Sequence, residues 1–207
     1  MSLPSDNLSQ PSVISSLPER SSRLWIIFRE IIETIILALV IWVLINFAVA
    51  RYVVSGSSME TTLHSGEFII VNRMTYYITP PQRGDIIIFH PPTNLQESYV
   101  KRIIGLPGDT IVIENGQLYI NAVPVDEPYL TPETELRLSD RYSQTIPDGM
   151  FFVMGDNRPN SDDSRKWGFL EDNMIVGKAW IIYWPPPEWG IVQHHAFPAI
   201  IPPPNIH

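Results

Sequence analysis

Thr110-Ile111-Val112-Ile113-Glu114-Asn115-Gly116-Gln117-Leu118-Tyr119-Ile120-Asn121 carries two apolar-rich runs around an Asn-Gly pair. Asn and Gly tolerate the positive φ angles of a tight primed turn, so the two runs are predicted to fold back as an antiparallel hairpin. The same grammar continues on both sides. Short apolar runs at Phe68–Val71, Ile86–Phe89, Phe151–Met154 and Ile175–Trp184 are punctuated by Pro107-Gly108-Asp109, Pro147-Asp148-Gly149 and Gly155-Asp156-Asn157. No capped amphipathic helix of about 12 residues or more interrupts them. The 20 Pro in 207 residues point the same way, because Pro disrupts helix interiors and a helical bundle would not carry so many. Residues 51–184 are therefore predicted to form one mainly antiparallel β domain. Inside it, 126–143 is polar, charge-rich and without a strand pattern, and reads as an exposed insertion. Residues 185–207 open on Pro185-Pro186-Pro187 and read as an irregular Pro-rich tail, and no internal repeat is present.

Upstream of the β domain, Ile31–Ala50 is apolar on every face with Glu33 as its one charge. Twenty helical residues rise roughly 30 Å, the thickness of bilayer hydrocarbon, so residues 26–50 are predicted to be a transmembrane anchor. Ala48-Val49-Ala50 imitates a leader cleavage site, but the run exceeds the ~7–15 apolar residues of a cleavable leader. Arg20, Arg23 and Arg29 precede the run, whereas Arg51 and Arg73 follow it, which favours a cytoplasmic N-terminus and an extracytoplasmic β domain on a single-pass plasma-membrane protein. Residues 1–25, Ser- and Pro-rich at the start, read as a disordered cytoplasmic tail. With 22 acidic against 14 basic residues, a net charge of −8 and a pI near 5.0, the chain has the wrong sign to neutralise nucleic-acid phosphates. It has no Cys, which removes disulfides, thiolate zinc sites, iron–sulfur clusters and a Cys nucleophile together.

Three stretches could carry chemistry. Ser55-Gly56-Ser57-Ser58-Met59 places hydroxyls among small residues, which suits a nucleophile loop and equally an ordinary loop. A Ser nucleophile needs a base, and His64, His90, His194, His195 and His207 all lack a triad context. Lys101 is the other option. It lies in Tyr99-Val100-Lys101-Arg102-Ile103-Ile104-Gly105, where strand alternation would turn Tyr99, Lys101 and Ile103 to one face. Burial there would make Lys101 a base, while a surface position would leave it a cation whose stem covers a strand. Gly155–Arg165 crowds turn formers, hydroxyls and charges; it lacks the spacing of a calcium loop, and its charges could simply pair with one another.

Ser58-Met59, Arg83-Gly84-Asp85-Ile86-Ile87-Ile88-Phe89, Tyr99–Asp109 and Gly155–Arg165 occur in an order and character that resemble the bacterial type I signal peptidases. The resemblance runs from Val54 to Trp184 and includes the anchor. It implies a membrane-anchored serine endopeptidase that removes signal peptides from secretory pre-proteins, with Ser58 as nucleophile, Lys101 as general base and Ser161 holding the Lys amine. It further implies Asp156, Asp163, Arg102 and Arg165 as a charged framework, and Val54, Ile88, Tyr99 and Val100 as the lining of shallow pockets for Ala-x-Ala-like cleavage sites. No metal or cofactor is implied. Two positions depart from or qualify the family pattern: Thr61 stands where the family usually has Pro, and Gly56 brings no hydroxyl to an oxyanion hole, leaving the Ser58 N–H as one donor and the second unassigned. Eight residues separate Ala50 from Ser58, so even an extended chain reaches only about 27–29 Å, and the site is expected near the membrane surface. The rival readings are a self-cleaving Ser–Lys protease and an impaired anchored β domain that binds exported peptides.

Overall fold

The computed structural model describes residues 19–135 and 141–197. Helix α1, Glu19–Ala48, is predominantly apolar from Leu24 to Ala48, with Arg29, Glu30 and Glu33 as its charges there, and exposes its large apolar side chains. It is long and apolar enough to cross a membrane. Glu33 does not stand alone in this run, since Arg29 Nε pairs with its Oε1 at 3.0 Å one turn earlier. The helix differs from the predicted span at both ends: Glu19–Trp25 is helical rather than part of a tail, and Val49 and Ala50 have left it for a strand. Residues 1–18 lie outside the described residues.

Twelve strands follow among the described residues. In chain order they are β1 Val49–Val53, β2 Phe68–Asn72, β3 Ile86–Phe89, β4 Tyr99–Gly105, β5 Thr110–Glu114 and β6 Gln117–Ile120. Then come β7 Val123–Pro124, β8 Tyr142–Thr145, β9 Met150–Met154, β10 Leu170–Glu171, β11 Ile175–Trp184 and β12 Gly190–Ile191. They form an eight-stranded sheet in the order β1-β2-β11-β3-β4-β9-β10, with β12 on β11, and a four-stranded sheet in the order β7-β6-β5-β8. Every pairing is antiparallel, as the hairpin reading requires. The β5–β6 hairpin turns at Asn115 (φ 53°) and Gly116 (φ 79°), both left-handed, so that Glu114 faces Gln117.

The continuous apolar character of β3 has a packing cause. Ile86 and Ile88 join the cluster of Met59, Leu63, Ile69 and Val71, while Ile87 and Phe89 join Ile103, Phe151, Val153 and Leu170 on the opposite face. A strand covered on both sides has no polar face to present. The small sheet closes over a third cluster in which Ile111, Ile113, Leu118 and Ile120 meet Ile104, Phe152 and Met154. β4 thus runs through the middle of the domain, and its residue 101 is placed among packed neighbours.

Two segments depart from expectation. Within 126–143, the Glu127 side chain is largely buried, Thr134 is buried and Tyr129 is half-buried, so the segment packs inward at these points; 136–140 lie outside the described residues. Nor is the Pro-rich end loose up to Phe197. Short 3-10 turn Pro186–Glu188 leads into β12, the Val192 N–H donates to Trp180 O, and the Val192 side chain is 2% exposed. The Ile86 N–H then donates to His194 Nδ1 at 3.0 Å, while His194 Nε2 donates to Ala179 O at 2.9 Å. Burial and the nearby Lys178 ammonium lower the His194 pKa to about 4, consistent with the neutral ring that these two bonds demand. One residue on, the His195 carbonyl occupies the space a Cβ at position 84 would need, and Gly84 also holds φ 91°.

Candidate active site

The turn carrying Ser58 is held by its apolar anchors. Met59 and Leu63, one helical turn apart, are both buried in the same cluster, and Leu63 N–H donates to Met59 O at 2.9 Å. This leaves half-buried Ser58 at the lip of a cleft. From the other side, the Asn157 N–H donates to Ser58 O and Asn157 Nδ2 donates to Ser57 O, each at 3.0 Å. The turn is therefore tethered to the Gly155–Arg165 loop by two bonds that no local pattern announces.

Lys101 enters from β4, opposite Ile87. Its side chain is 4% exposed, and its Nζ is 2.7 Å from Ser58 Oγ and 3.1 Å from Val100 O. The Tyr99 ring lies 5.3 Å from the amine, on the face that strand alternation assigns to both residues. Burial lowers the Lys101 pKa to about 8, with Arg165 helping; Asp163, Asp162 and Asp156 act in the opposite sense. An amine in this range has a substantial neutral fraction near neutrality, unlike an exposed Lys.

The charged framework is two ion pairs, Arg102–Asp156 fully buried and Arg165–Asp163 with its Arg partly exposed. Arg102 clamps Asp156 with Nε to Oδ1 at 2.9 Å and Nη2 to Oδ2 at 2.7 Å, and Thr62 Oγ1 adds a bond to Oδ2 at 2.5 Å. Arg165 Nε meets Asp163 Oδ1 at 2.8 Å and Nη2 meets Oδ2 at 2.9 Å. Burial alone would raise the Asp163 carboxyl, but Arg165, the adjacent Ser161 hydroxyl and the Gly155 N–H hold it below the ordinary carboxylate range. Ser161 Oγ itself is buried without a hydrogen bond of good geometry, so in this structure it does not hold the Lys101 amine. The loop also contains buried Arg158, which pairs with Glu127, a partnership across the segment expected to be an exposed insertion.

The cleft at Ser58 and Lys101 measures about 560 Å³ and is lined by Val54, Ile88, Tyr99 and Val100, with Ile69 deepening its apolar floor. All four residues expected to form pockets thus face one space. Asn160 and Asp162 of the Gly155–Arg165 loop line it too, as does Glu97, which no local pattern singled out. No His lines the cleft among the described residues.

Residues 28–184 match the family model described as signal peptidase, peptidase S26. The chain belongs to the signal peptidase family. It is 41% identical over 182 residues to the probable signal peptidase I-1 of Synechocystis sp., covering 84% of this chain and 91% of that one. It is also 47% identical over 150 residues to a signal peptidase I of Bacillus caldolyticus, covering 67% and 81% of the two chains. A signal peptidase I of Bacillus amyloliquefaciens is 46% identical over 162 residues, covering 74% and 86%. The ordered C-terminal segment 185–197 lies beyond the matched stretch of this signal peptidase.

Thr61 has a clear structural account. Its φ is 66°, and its Oγ1 donates to Tyr129 O at 2.7 Å. A Pro ring fixes φ near −65°, so Pro does not fit this turn as it stands. The turn is fastened by the Thr hydroxyl rather than loosened by the missing Pro. Thr61→Pro is expected to cost about 3 kcal/mol or more in urea unfolding. Thr61→Gly, which gains φ freedom and loses one hydrogen bond, should stay within about 1 kcal/mol. A Pro variant as stable as the parent would show that the turn readily adopts another conformation.

Proposed function

We propose that this signal peptidase removes signal peptides from exported pre-proteins by Ser–Lys acyl transfer at the 101–58 contact. The observation that carries the chemistry is the 2.7 Å approach of a buried amine to the Ser58 hydroxyl. Neutral Lys101 takes the Ser58 proton as Oγ attacks the scissile carbonyl, and the proton then passes to the leaving amine. Water activated by the same Lys hydrolyses the ester and restores both residues. Among the described residues the Ser58 N–H makes no hydrogen bond, which suits it to stabilise the developing oxyanion. The buried Ser161 hydroxyl, which borders Asp163 without a hydrogen bond of good geometry, suits a role as the second resting place of the Lys amine once Ser58 has been acylated.

Val54, Ile88, Tyr99 and Val100 make the cleft apolar, which favours small apolar side chains of the Ala-x-Ala kind. Helix α1 anchors the enzyme in the plasma membrane with the β domain outside the cytoplasm, and the exposed Trp180, Trp184 and Trp189 are of the type that partitions to bilayer interfaces. The bilayer and secretory pre-proteins are the partners in this reading. The test is cleavage of a secretory pre-protein by the intact chain in liposomes, with sequencing of the mature N-terminus, beside a reporter fused after His207. Cleavage after a small residue and an extracytoplasmic reporter are expected; an uncut pre-protein or a cytoplasmic reporter would overturn the corresponding part.

A further inference from the structure

Tyr129 joins three parts of the molecule that are distant in sequence. Its backbone carbonyl accepts from Thr61, three residues beyond Ser58. One side of its ring meets the Arg102 guanidinium at 4.0 Å, next in sequence to Lys101. Its hydroxyl donates to Glu127 Oε1 at 2.6 Å and accepts from Arg158 Nη2 at 3.2 Å. The C-terminal segment closes around this residue: His195 and Phe197 pack against the Tyr129 ring with centroids at 5.4 and 6.4 Å and against each other at 5.1 Å. That clamp is itself fixed by buried Val192, by the two His194 bonds and by the fit of His195 O on Gly84.

We propose that Tyr129, clamped by His195 and Phe197, is a positioning residue that ties the turn of Ser58 to the strand of Lys101. The proposal rests on the reading of Ser58 and Lys101 as the reacting pair. A cation held against an aromatic ring away from water is fixed in place as well as stabilised. Arg102 held in this way keeps its two bonds to Asp156, and Asp156 is one of the three carboxylates, with Asp162 and Asp163, that favour the charged form of Lys101, against Arg165. Loosening the clamp therefore has two consequences. The Ser58 turn and β4 lose their common tether, and Asp156 loses part of its counter-charge.

The test compares parent, His195→Ala/Phe197→Ala, and His195→Ala/Phe197→Tyr as intact chains on one pre-protein. The double Ala variant is expected to lower kcat about tenfold to a hundredfold with little change in KM, the scale of a small misplacement of reacting groups. The midpoint of its pH–kcat curve should move upward, and Phe197→Tyr, which restores a ring, should recover most of both. A merely structural role would lower the active fraction without moving the midpoint. A folded double Ala variant with parental kcat and midpoint would overturn the proposal, as would a loss of kcat with an unmoved midpoint. If that variant does not fold, Tyr129→Leu is read by the same two quantities, and parental values again overturn the proposal. Ser58→Ala run in parallel separates the two claims: residual cleavage there removes the reacting pair itself, whereas its complete loss leaves the clamp to be judged by its own variants.

Discussion

Ser58→Ala and Lys101→Ala are each expected to lower pre-protein cleavage by roughly 10⁴-fold or more, the scale on which reacting groups that act as a unit fail when one is removed. The two residues meet at 2.7 Å in one cleft, and no His lines that cleft among the described residues to substitute for the amine. Lys101→Arg should fail as completely, because a guanidinium stays protonated at any usable pH. The control is a cooperative urea transition in each variant. Met59, Leu63 and the Arg102–Asp156 pair do not depend on the Ser58 hydroxyl, so Ser58→Ala should unfold with the parent. Cleavage by any of the three within tenfold of the parent would remove the assignment.

The second large effect is on pH. With a folded Lys101 pKa of about 8, single-turnover cleavage should rise about tenfold per pH unit from pH 5 and level off above pH 8, since only the neutral amine accepts the Ser58 proton. Stability is linked to the same proton. The folded pKa lies below the ordinary value of 10.5, so the unfolded chain binds the proton more tightly. The resulting penalty on the folded state is absent well above pH 10.5, grows as pH falls through the window from 10.5 to 8, and is complete below 8. Lys101→Met should therefore gain stability relative to the parent on going from pH 10.5 to pH 7.5, by about 3 kcal/mol if the whole shift is expressed. Urea unfolding of both proteins across that range measures it. A flat rate profile together with a pH-independent stability difference would mean that Lys101 is an ordinary surface cation.

The reading from sequence was strongest where the cause is local. Alternation, apolar run length and Asn-Gly turn chemistry act over a few residues, and the runs at Phe68, Ile86, Thr110, Leu118, Phe151 and Ile175 all lie in strands. The short pairings β7, β10 and β12 carry too few residues to show a period, and they form because an already placed neighbour offers its edge. Helix α1 was legible by length and hydropathy, but its ends were not: β2 pairs with Val49 and Ala50 and draws them out of the apolar run.

At the site, residue types singled out three stretches, and the family resemblance picked Ser58, Lys101, Val54, Ile88, Tyr99 and Val100 from them and their neighbours; these six residues all line the cleft. Sequence could not decide whether Lys101 is a base, because its two readings differ only in burial, and burial depends on β3, β9 and the Ser58 turn closing around β4. Nor could it pair Arg102 with Asp156, Arg158 with Glu127, or Tyr129 with Phe197. A charge or a ring has the same local signature whether it faces water or a distant partner. By itself the sequence determined the long apolar helix, the antiparallel class and the chemical inventory, since those follow from short-range periodicity and composition. Only the tertiary structure decided which groups are dry, which charges are compensated and where residues 185–197 pack, because each depends on the desolvation and long-range contact that folding creates.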